Sequence, residues 1–300
     1  RLGTKQVGVN VISLPPGTCS SRPHAESCED EFGYVLSGNP AVWINGETYR
    51  LSPGHAIGFP SGTGVCHNVI NDGSEPAVIV AIGERTKPEN QYISPLNPEQ
   101  EAEAGAAWWR SWPVQSFGPH PGVPGTGIPP KDPTGVPGII FAPTLPGRGS
   151  FSYNGDTETF GEGVRLNSLV GVKAIGIHHE ILPPGKRSSW PHAESHEEEF
   201  CFVLRGRPSV WINGYRFSAK PGDLAYFEAQ TNLAHTVIND TDEPVEYLGF
   251  GLTSEALPGG QIYYPFHSAR NEECRAKGHL WENRPNVTLG PDRGEPFGRL

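Results

Sequence analysis

The sequence predicts an all-β protein built from two tandem copies of one domain. Its 300 residues include 38 glycines and 31 prolines, a turn-rich composition that is typical of proteins with many short strands. One pattern of histidines, glutamates and glycines occurs twice. Each residue of the second copy follows its counterpart in the first by the same number of residues as His192 follows His24. Helical periodicity is almost absent, and the best candidate is a short acidic helix that starts near Pro98. We therefore expect one domain over residues 1–150 and a second over residues 151–300.

The strands of each copy are predicted from short runs of β-branched and aromatic residues between turns. Each copy opens with such a run, and a Pro-Pro-Gly turn follows it. The third run of each copy ends in Asn-Gly, a dipeptide that supplies the two positive-φ residues of a tight hairpin turn. The predicted strands are 7–14, 32–36, 41–44, 69–70 and 78–82 in the first copy, and 175–182, 200–204, 209–212, 237–238 and 247–250 in the second.

Each copy continues into a tail that is rich in proline and glycine. The order Trp109, Pro113, Gly118, Pro119 in the first tail is repeated as Trp281, Pro285, Gly290, Pro291 in the second. Residues 126–165, which lie between the copies, have the composition of an extended connector.

The composition argues against several classes of partner. The net charge is −10 and no basic residues cluster, which argues against a nucleic-acid backbone. No apolar run is long enough for a membrane span, and the first residues contain no apolar signal core. The five cysteines are odd in number and form no CxxC pair, so we expect no disulfide framework and a reducing, cytoplasmic location.

The repeated pattern carries residues that suit a metal site. Each copy has a histidine, two glutamates and a distant second histidine, which are common ligands of borderline divalent ions. A lone histidine in a β-barrel is more often a hydrogen-bonded interior residue, but the glutamates and the duplication favour the metal interpretation. The residues are His24, Glu26, Glu31 and His67 in the first copy, and His192, Glu194, Glu199 and His235 in the second.

These motifs resemble those of the cupin family, and the whole chain resembles a bicupin. The first motif runs Gly17, His24-Ala25-Glu26, Glu31, Gly38, and in the second copy Gly185, His192-Ala193-Glu194, Glu199, Gly206. The second motif runs Gly54, Pro60-Ser61-Gly62, His67, Asn71, and in the second copy Gly222, His235, Asn239. The second copy departs from the family pattern, because Glu228 and Gln230 stand where proline and glycine are expected.

The resemblance implies a jelly-roll β-barrel in each copy, with one divalent metal inside it. The implied ligands are His24, Glu31 and His67 in the first barrel, and His192, Glu199 and His235 in the second. The family's second histidine is replaced by Glu26 and Glu194, which the two-residue period of a strand still directs to the same face. These glutamates either ligate the ion, remain outside its coordination sphere beside the ligands, or act as catalytic bases with water in the vacant coordination position. Fe(II) or Mn(II) is favoured, and Zn(II) or Ni(II) is compatible with the same ligands.

The function that these expectations favour is a metal-dependent oxygenase acting on a small organic substrate. The alternatives are a non-redox lyase or isomerase of decarboxylase or cyclase type, and a ligand-binding or storage bicupin without catalysis. If only one copy is active, we expect it to be the second. We expect no nucleic-acid or membrane partner, and a homodimer is compatible with the resemblance. The acidic neighbours of the ligands are expected to form a solvated rim: Glu29, Asp30, Glu197 and Glu198.

Overall fold

The computed structural model describes residues 3–114, 116–122, 129–153 and 155–297. It divides into two compact units, each of which contains one copy of the repeat. The N-terminal barrel comprises Val7–Thr144 and Leu166–Ile175. The C-terminal barrel comprises Arg1–Gln6, Leu145–Arg165 and Gly176–Leu300. Each unit thus includes the short segment that precedes the first strand of the other copy.

The N-terminal barrel consists of a five-stranded sheet in the order β1-β9-β4-β7-β11, a four-stranded sheet in the order β2-β8-β5-β6, and the pair β10-β3. All of the pairings between these strands are antiparallel. The strands are β1 Val7–Leu14, β2 Thr18–Cys19, β3 Ala25–Glu26, β4 Glu31–Ser37, β5 Ala41–Ile44, β6 Glu47–Arg50, β7 His55–Phe59, β8 His67–Asn71, β9 Ala77–Glu84, β10 Tyr92–Ile93 and β11 Ile139–Phe141.

The C-terminal barrel shares the central part of this plan, but it has two additional strands, β12 and β13, at one edge and, within the described residues, no counterparts of β2 and β11. Its sheets run β12-β13-β14-β21-β16-β19, β18-β17-β20 and β15-β22. The strands are β12 Gly149–Ser150, β13 Glu162–Arg165, β14 Ile175–Leu182, β15 Ala193–Glu194, β16 Glu199–Arg205, β17 Ser209–Ile212, β18 Tyr215–Ser218, β19 Leu224–Phe227, β20 His235–Ile238, β21 Val245–Leu252 and β22 Ile262–Tyr263.

Each core lies between the two larger sheets of its barrel. In the N-terminal barrel, side chains of one sheet, such as Val35 and Ile79, pack with Val42 and Val69 of the other. The C-terminal core contains Cys201, Val210, Val237 and Tyr247 among others. Burial of alternate residues on two facing sheets is the reason that such short strands are stable together. The predicted all-β architecture is confirmed, and the predicted strands coincide with β1, β4, β5, β8 and β9 and their counterparts.

The Asn-Gly hairpin turns also explain the repeated tail. Asn45 and Gly46 have φ values of 48° and 106°, as the sequence predicted. A Cβ on Gly46 would lie 2.1 Å from the backbone nitrogen of Gly118, and that N–H donates to the carbonyl of Asn45 at 2.9 Å. The tail therefore crosses the hairpin at a point where both segments have a glycine and hence no side chain. Gly214 and Gly290 repeat this contact in the C-terminal barrel.

The helical content is small and was predicted only in part. The acidic stretch forms a 3-10 turn, Pro98–Gln100, followed by α1, Glu101–Ala104. The sequence reasoning missed α2, Ser268–Ala276, because Cys274 is its one buried residue and the helix has no apolar stripe. Its N-terminus is capped by His267, whose Nδ1 accepts from the backbone of Arg270. Within the described residues, no helix has both the length and the apolar character to cross a membrane.

The expectation of a solvated acidic rim is wrong for Asp30, which is buried. Its carboxylate accepts hydrogen bonds from the backbone N–H groups of Ser61, Lys173 and Ala174 at 2.7–2.8 Å. Burial alone would raise the pKa of Asp30, but these donors outweigh it and lower that pKa. Asp30 thereby fixes the segment 166–175 to the N-terminal barrel.

Glu198 has the same role in the C-terminal barrel and is also buried. It accepts from the backbone N–H groups of Lys5 and Gln6 at 2.9–3.1 Å, and from the hydroxyl of Tyr226 at 2.7 Å. Both residues are therefore anchors for chain segments, and neither is free to act at the metal ligands.

Candidate metal centres

Backbone pairing brings together the two histidines of each copy, which are far apart in sequence. His24 and His67 form an antiparallel bridge, with N–H···O distances of 3.2 and 2.9 Å. His192 and His235 form the same bridge, at 3.2 and 2.8 Å. Residues that face each other across an antiparallel pair direct their side chains to one side. Both imidazoles of a copy consequently point into the barrel together.

In the N-terminal barrel the third group is Glu31, the first residue of β4. Its Oε2 lies 2.9 Å from Nε2 of His67 and 3.5 Å from Nε2 of His24. The potential ligand atoms of these three residues all lie within 4.8 Å of one another.

The C-terminal barrel reproduces this cluster with Glu199, the first residue of β16. Its Oε2 lies 2.7 Å from Nε2 of His235 and 3.3 Å from Nε2 of His192. The described part of the chain contains these two clusters of histidine and carboxylate groups with metal-ligand geometry. They are the six residues that the resemblance implied as ligands.

The orientation of the rings fits a metal ion. Nδ1 of His24 lies 2.8 Å from the carbonyl of Arg22, and Nδ1 of His192 lies 2.8 Å from that of Trp190. A carbonyl can only accept, so Nδ1 carries the hydrogen and Nε2 is left to bind an ion. Two imidazole nitrogens and one carboxylate oxygen suit Fe(II), Mn(II), Ni(II) or Zn(II). The donor set therefore fits the metal that the family resemblance implies.

The second histidine of each cluster is held in place by an aromatic ring. Phe59 stacks on His67 with a centroid separation of 3.6 Å, and Phe227 stacks on His235 at 3.8 Å. Each phenylalanine is paired in register with the ligand glutamate of its barrel. The sequence reasoning missed these two residues. Their signal was available, because Phe59 and Phe227 are identical residues at the repeat separation.

The electrostatics of both clusters follow from burial and close opposite charges. Burial would raise the pKa of Glu31, but hydrogen bonds from His24 and His67 outweigh it and hold that pKa well below its ordinary value. Glu199 behaves in the same way because of His192 and His235. Although burial opposes it, the charge of Glu199 raises the pKa of His192 to about 9. A bound cation would replace the proton of this histidine.

The two glutamates at the position of the missing family histidine have different partners. Glu26 accepts a hydrogen bond from Nδ2 of Asn90, and its Oε1 lies 3.9 Å from Nε2 of His24. The carboxylate of Glu194 has no hydrogen-bond donor among the described residues, and burial together with the charge of Glu199 raises its pKa to about 8. Asn90 is a further residue that sequence reasoning missed, because its place in the other barrel is taken by Gly260.

The next acidic pair also differs between the barrels. Glu29 is buried and accepts from the backbone N–H of Lys87, whose ammonium group also interacts with it. Among the described residues, the Glu197 carboxylate has no hydrogen-bond donor and no lysine or arginine partner, although the charge of His192 acts on it. Burial, Glu199 and Glu194 raise the pKa of Glu197 to about 9. The expectation of a solvated rim is therefore wrong for Glu29, which is buried, whereas Glu197 is half-buried.

Aromatic side chains line one side of the C-terminal cluster. The ring of Tyr264 lies 5.8 Å from that of His192, and Trp190 stacks on Tyr153 at 4.2 Å. In the N-terminal barrel the position of Trp190 is taken by the exposed Arg22, and that of Tyr264 by Ser94. The two centres thus share ligands but have walls of different chemistry.

The motif asparagines support the fold. Asn71 is buried, and its Nδ2 donates to the carbonyls of Leu14 and Glu75 at 2.7 and 2.8 Å. Asn239 makes the equivalent bonds in the other barrel. Asn71 ends β8 and Asn239 directly follows β20, so these side chains hold the C-terminal ends of the strands that begin with His67 and His235.

The family model described as Cupin domain matches residues 10–83 and 178–251. The chain is a bicupin, with one cupin domain in each barrel. Both matched segments include the complete ligand set and the motif asparagine. The comparison with curated protein sequences finds no relative.

Solved structures with this fold include two bicupin-like enzymes of low sequence identity. Salicylate 1,2-dioxygenase from Pseudaminobacter salicylatoxidans is 15% identical, with a TM-score of 0.59 over 86% of this chain and 74% of that one. Oxalate decarboxylase from Bacillus subtilis is 18% identical, with a TM-score of 0.51 over 82% of this chain and 67% of that one. At such identities these similarities concern the fold.

Proposed function

We propose that this bicupin is a metal-dependent oxygenase that acts on a small organic substrate, with one divalent ion held in each barrel. The observation that supports the proposal most is the pair of clusters in which two Nε2 atoms and one carboxylate oxygen converge. Two histidines and one carboxylate with open positions are the ligand set of non-haem iron oxygenases. Salicylate dioxygenase, one of the enzymes with a similar fold, agrees with this reaction class.

A bound iron or manganese ion would supply polarisation of an oxygen-donor substrate and electron transfer with dioxygen. The chain's own residues would bind the substrate, orient it and exclude water from the site. In the C-terminal barrel His192, Glu199 and His235 would hold the ion, and Phe227 stacks on the ring of His235. Tyr264 offers an apolar wall beside His192 for an organic substrate. Glu194 lies beside the ligands with no donor of its own and can accept or release a proton.

A non-redox lyase of decarboxylase type is the second candidate, and Glu194 is the observation that favours it. With no metal bound, burial and the charge of Glu199 raise the pKa of this carboxyl group to about 8, so that it can exchange a proton near neutral pH. A protonated acid beside the metal cluster is the group that a decarboxylase needs to protonate its product. The similar fold of oxalate decarboxylase is consistent with this alternative.

The first test is metal content by plasma mass spectrometry on wild type, Glu31→Ala and Glu199→Ala. We expect about two equivalents per chain, one for each cluster, and the loss of one equivalent in each variant. Glu255→Ala, which changes an exposed glutamate, is the matched control and is expected to retain both. Wild-type protein that retains no stoichiometric metal after anaerobic reloading would contradict the proposal.

The second test separates the two reaction classes. The metal-loaded protein is incubated with salicylate or oxalate, and oxygen uptake and carbon dioxide release are recorded together. Oxygen consumption that depends on substrate and on Glu199 supports the oxygenase. Carbon dioxide release without net oxygen consumption supports the lyase instead.

A further inference from the structure

We infer that Glu197 belongs to the C-terminal metal centre, as an additional carboxylate that this barrel has and the N-terminal barrel lacks. The inference rests on the proposed metal dependence and deepens it. Neither the cupin motifs nor the cluster of three ligands includes this residue. The inference is based on the position of the Glu197 side chain relative to β21, the strand that pairs with Glu199.

Gly251 on β21 is paired in register with Glu199 on β16. A side chain on Gly251 would therefore point to the same face of the sheet as Glu199, toward the metal ligands. That space is occupied, because a Cβ on Gly251 would lie only 2.6 Å from Oε1 of Glu197 and 3.3 Å from its Cγ. The carboxylate of Glu197 thus folds over Gly251 onto the ligand face of the sheet.

The N-terminal barrel is an internal control for this geometry. Gly83 on β9 is paired with Glu31 in the same register. A Cβ on Gly83 would find the Cγ of Glu31 and the carbonyl of Asp30, both at 3.7 Å, and no part of Glu29. Glu29 is turned away to the backbone N–H of Lys87. The equivalent space beside Glu31 therefore holds no additional carboxylate.

The surroundings of Glu197 point to a cation as the missing partner. The carboxylate has no hydrogen-bond donor or ion pair among the described residues, although it is half-buried. It interacts electrostatically with His192, Glu194 and Glu199, the groups that surround the centre. A carboxylate that feels the charge of other carboxylates is stabilised when a divalent ion binds near them. We therefore expect the C-terminal centre to bind metal more tightly because of Glu197.

The test measures Mn(II) affinity at each centre separately. Glu31→Ala leaves only the C-terminal centre, and Glu199→Ala leaves only the N-terminal one. Glu197→Gln is added to the first background and Glu29→Gln to the second, and the Kd for Mn(II) is measured by paramagnetic resonance of the free ion. Both changes keep the side-chain volume, and circular dichroism with thermal melting confirms folding.

Glu197→Gln is expected to raise the Kd of the C-terminal centre roughly 10- to 100-fold, as loss of a group near a metal ligand commonly does. Glu29→Gln is expected to leave the Kd of the N-terminal centre unchanged. Equal Kd values with and without Glu197→Gln overturn the inference, even if melting shifts, because a purely structural residue would act on stability alone. If neither parent variant binds Mn(II), the proposed metal dependence fails and the inference fails with it.

Discussion

The N-terminal and C-terminal barrels hold two histidines and one glutamate in nearly the same geometry. The Nε2–Oε2 separations are 2.9 and 3.5 Å in the first and 2.7 and 3.3 Å in the second. Around these atoms the barrels differ. Asn90 and Lys87 engage Glu26 and Glu29 in the N-terminal barrel. In the C-terminal barrel, the carboxylates of the corresponding residues Glu194 and Glu197 have no hydrogen-bond donors among the described residues.

This difference shows which parts of a duplicated site are constrained. The ligand positions are set by backbone bridges and strand register, so neither copy can change them without changing its sheets. The groups around the ligands come from loops and neighbouring strands and are free to differ. The presence of Asn90 in one barrel and Gly260 in the other changes whether the neighbouring glutamate receives a hydrogen bond, while the ligand geometry is nearly the same.

The largest expected effect concerns the first strand of each repeat, where buried His179 of β14 corresponds to exposed Val11 of β1. Burial and Arg148 lower the pKa of His179 from 6.5 to about 4. The unfolded chain therefore binds more protons between these pH values, and folding stability falls as pH decreases through this window. The expected loss attributable to His179 is about 3 kcal/mol.

Urea unfolding at pH 7, 5.5 and 4 checks this prediction in wild type and His179→Gln. We expect the variant to lose less stability than wild type over this range. Val11→His is the matched control in the other barrel, because an exposed histidine keeps an ordinary pKa and adds no such dependence. Parallel pH profiles for wild type and His179→Gln would contradict the assignment.

The second prediction uses the glycines opposite the ligand glutamates. In Gly251→Ala the new methyl group would meet Oε1 of Glu197 and the carbonyl of Glu198, each at 2.6 Å. Such overpacking costs about 1–3 kcal/mol. Gly83→Ala meets its nearest atoms at 3.7 Å and is expected to be nearly neutral. Thermal melting should show a lower Tm for Gly251→Ala alone, and equal Tm values would contradict the placement of Glu197.

The smallest expected effect is that of Asn90→Ala. Asn90 donates to Glu26 and accepts from the backbone N–H of Cys28 at 3.1 Å, and the substitution leaves both groups without their partner. We expect a loss of about 1–2 kcal/mol in the free energy of unfolding. Gly260→Ala is the control, since a Cβ there would find its nearest atom at 3.9 Å. Equal stability of Asn90→Ala and wild type would contradict the conclusion that Glu26, unlike Glu194, is stabilised by a hydrogen-bond donor.

The ligands could be predicted from sequence because repetition and spacing are local properties. His24, Glu31 and His67 recur in register as His192, Glu199 and His235, and the structure brings each set together. The Asn-Gly turns likewise depend only on adjacent residues, and Asn45 has the positive φ that was expected. The acidic neighbours were wrongly predicted, because Asp30 and Glu198 are buried by segments far away in the chain.

By itself the sequence determined the strands, the duplication and the residues that can bind a metal. Strand period and turn chemistry act over a few residues, and the repeat made the pattern visible twice. Only the tertiary structure decided which glutamates receive a donor. Asn90 reaches Glu26 and Lys87 reaches Glu29 across about 60 residues of chain, as set by strand pairing. Glu197 turns toward the ligands because Gly251, on a paired strand, leaves space for it.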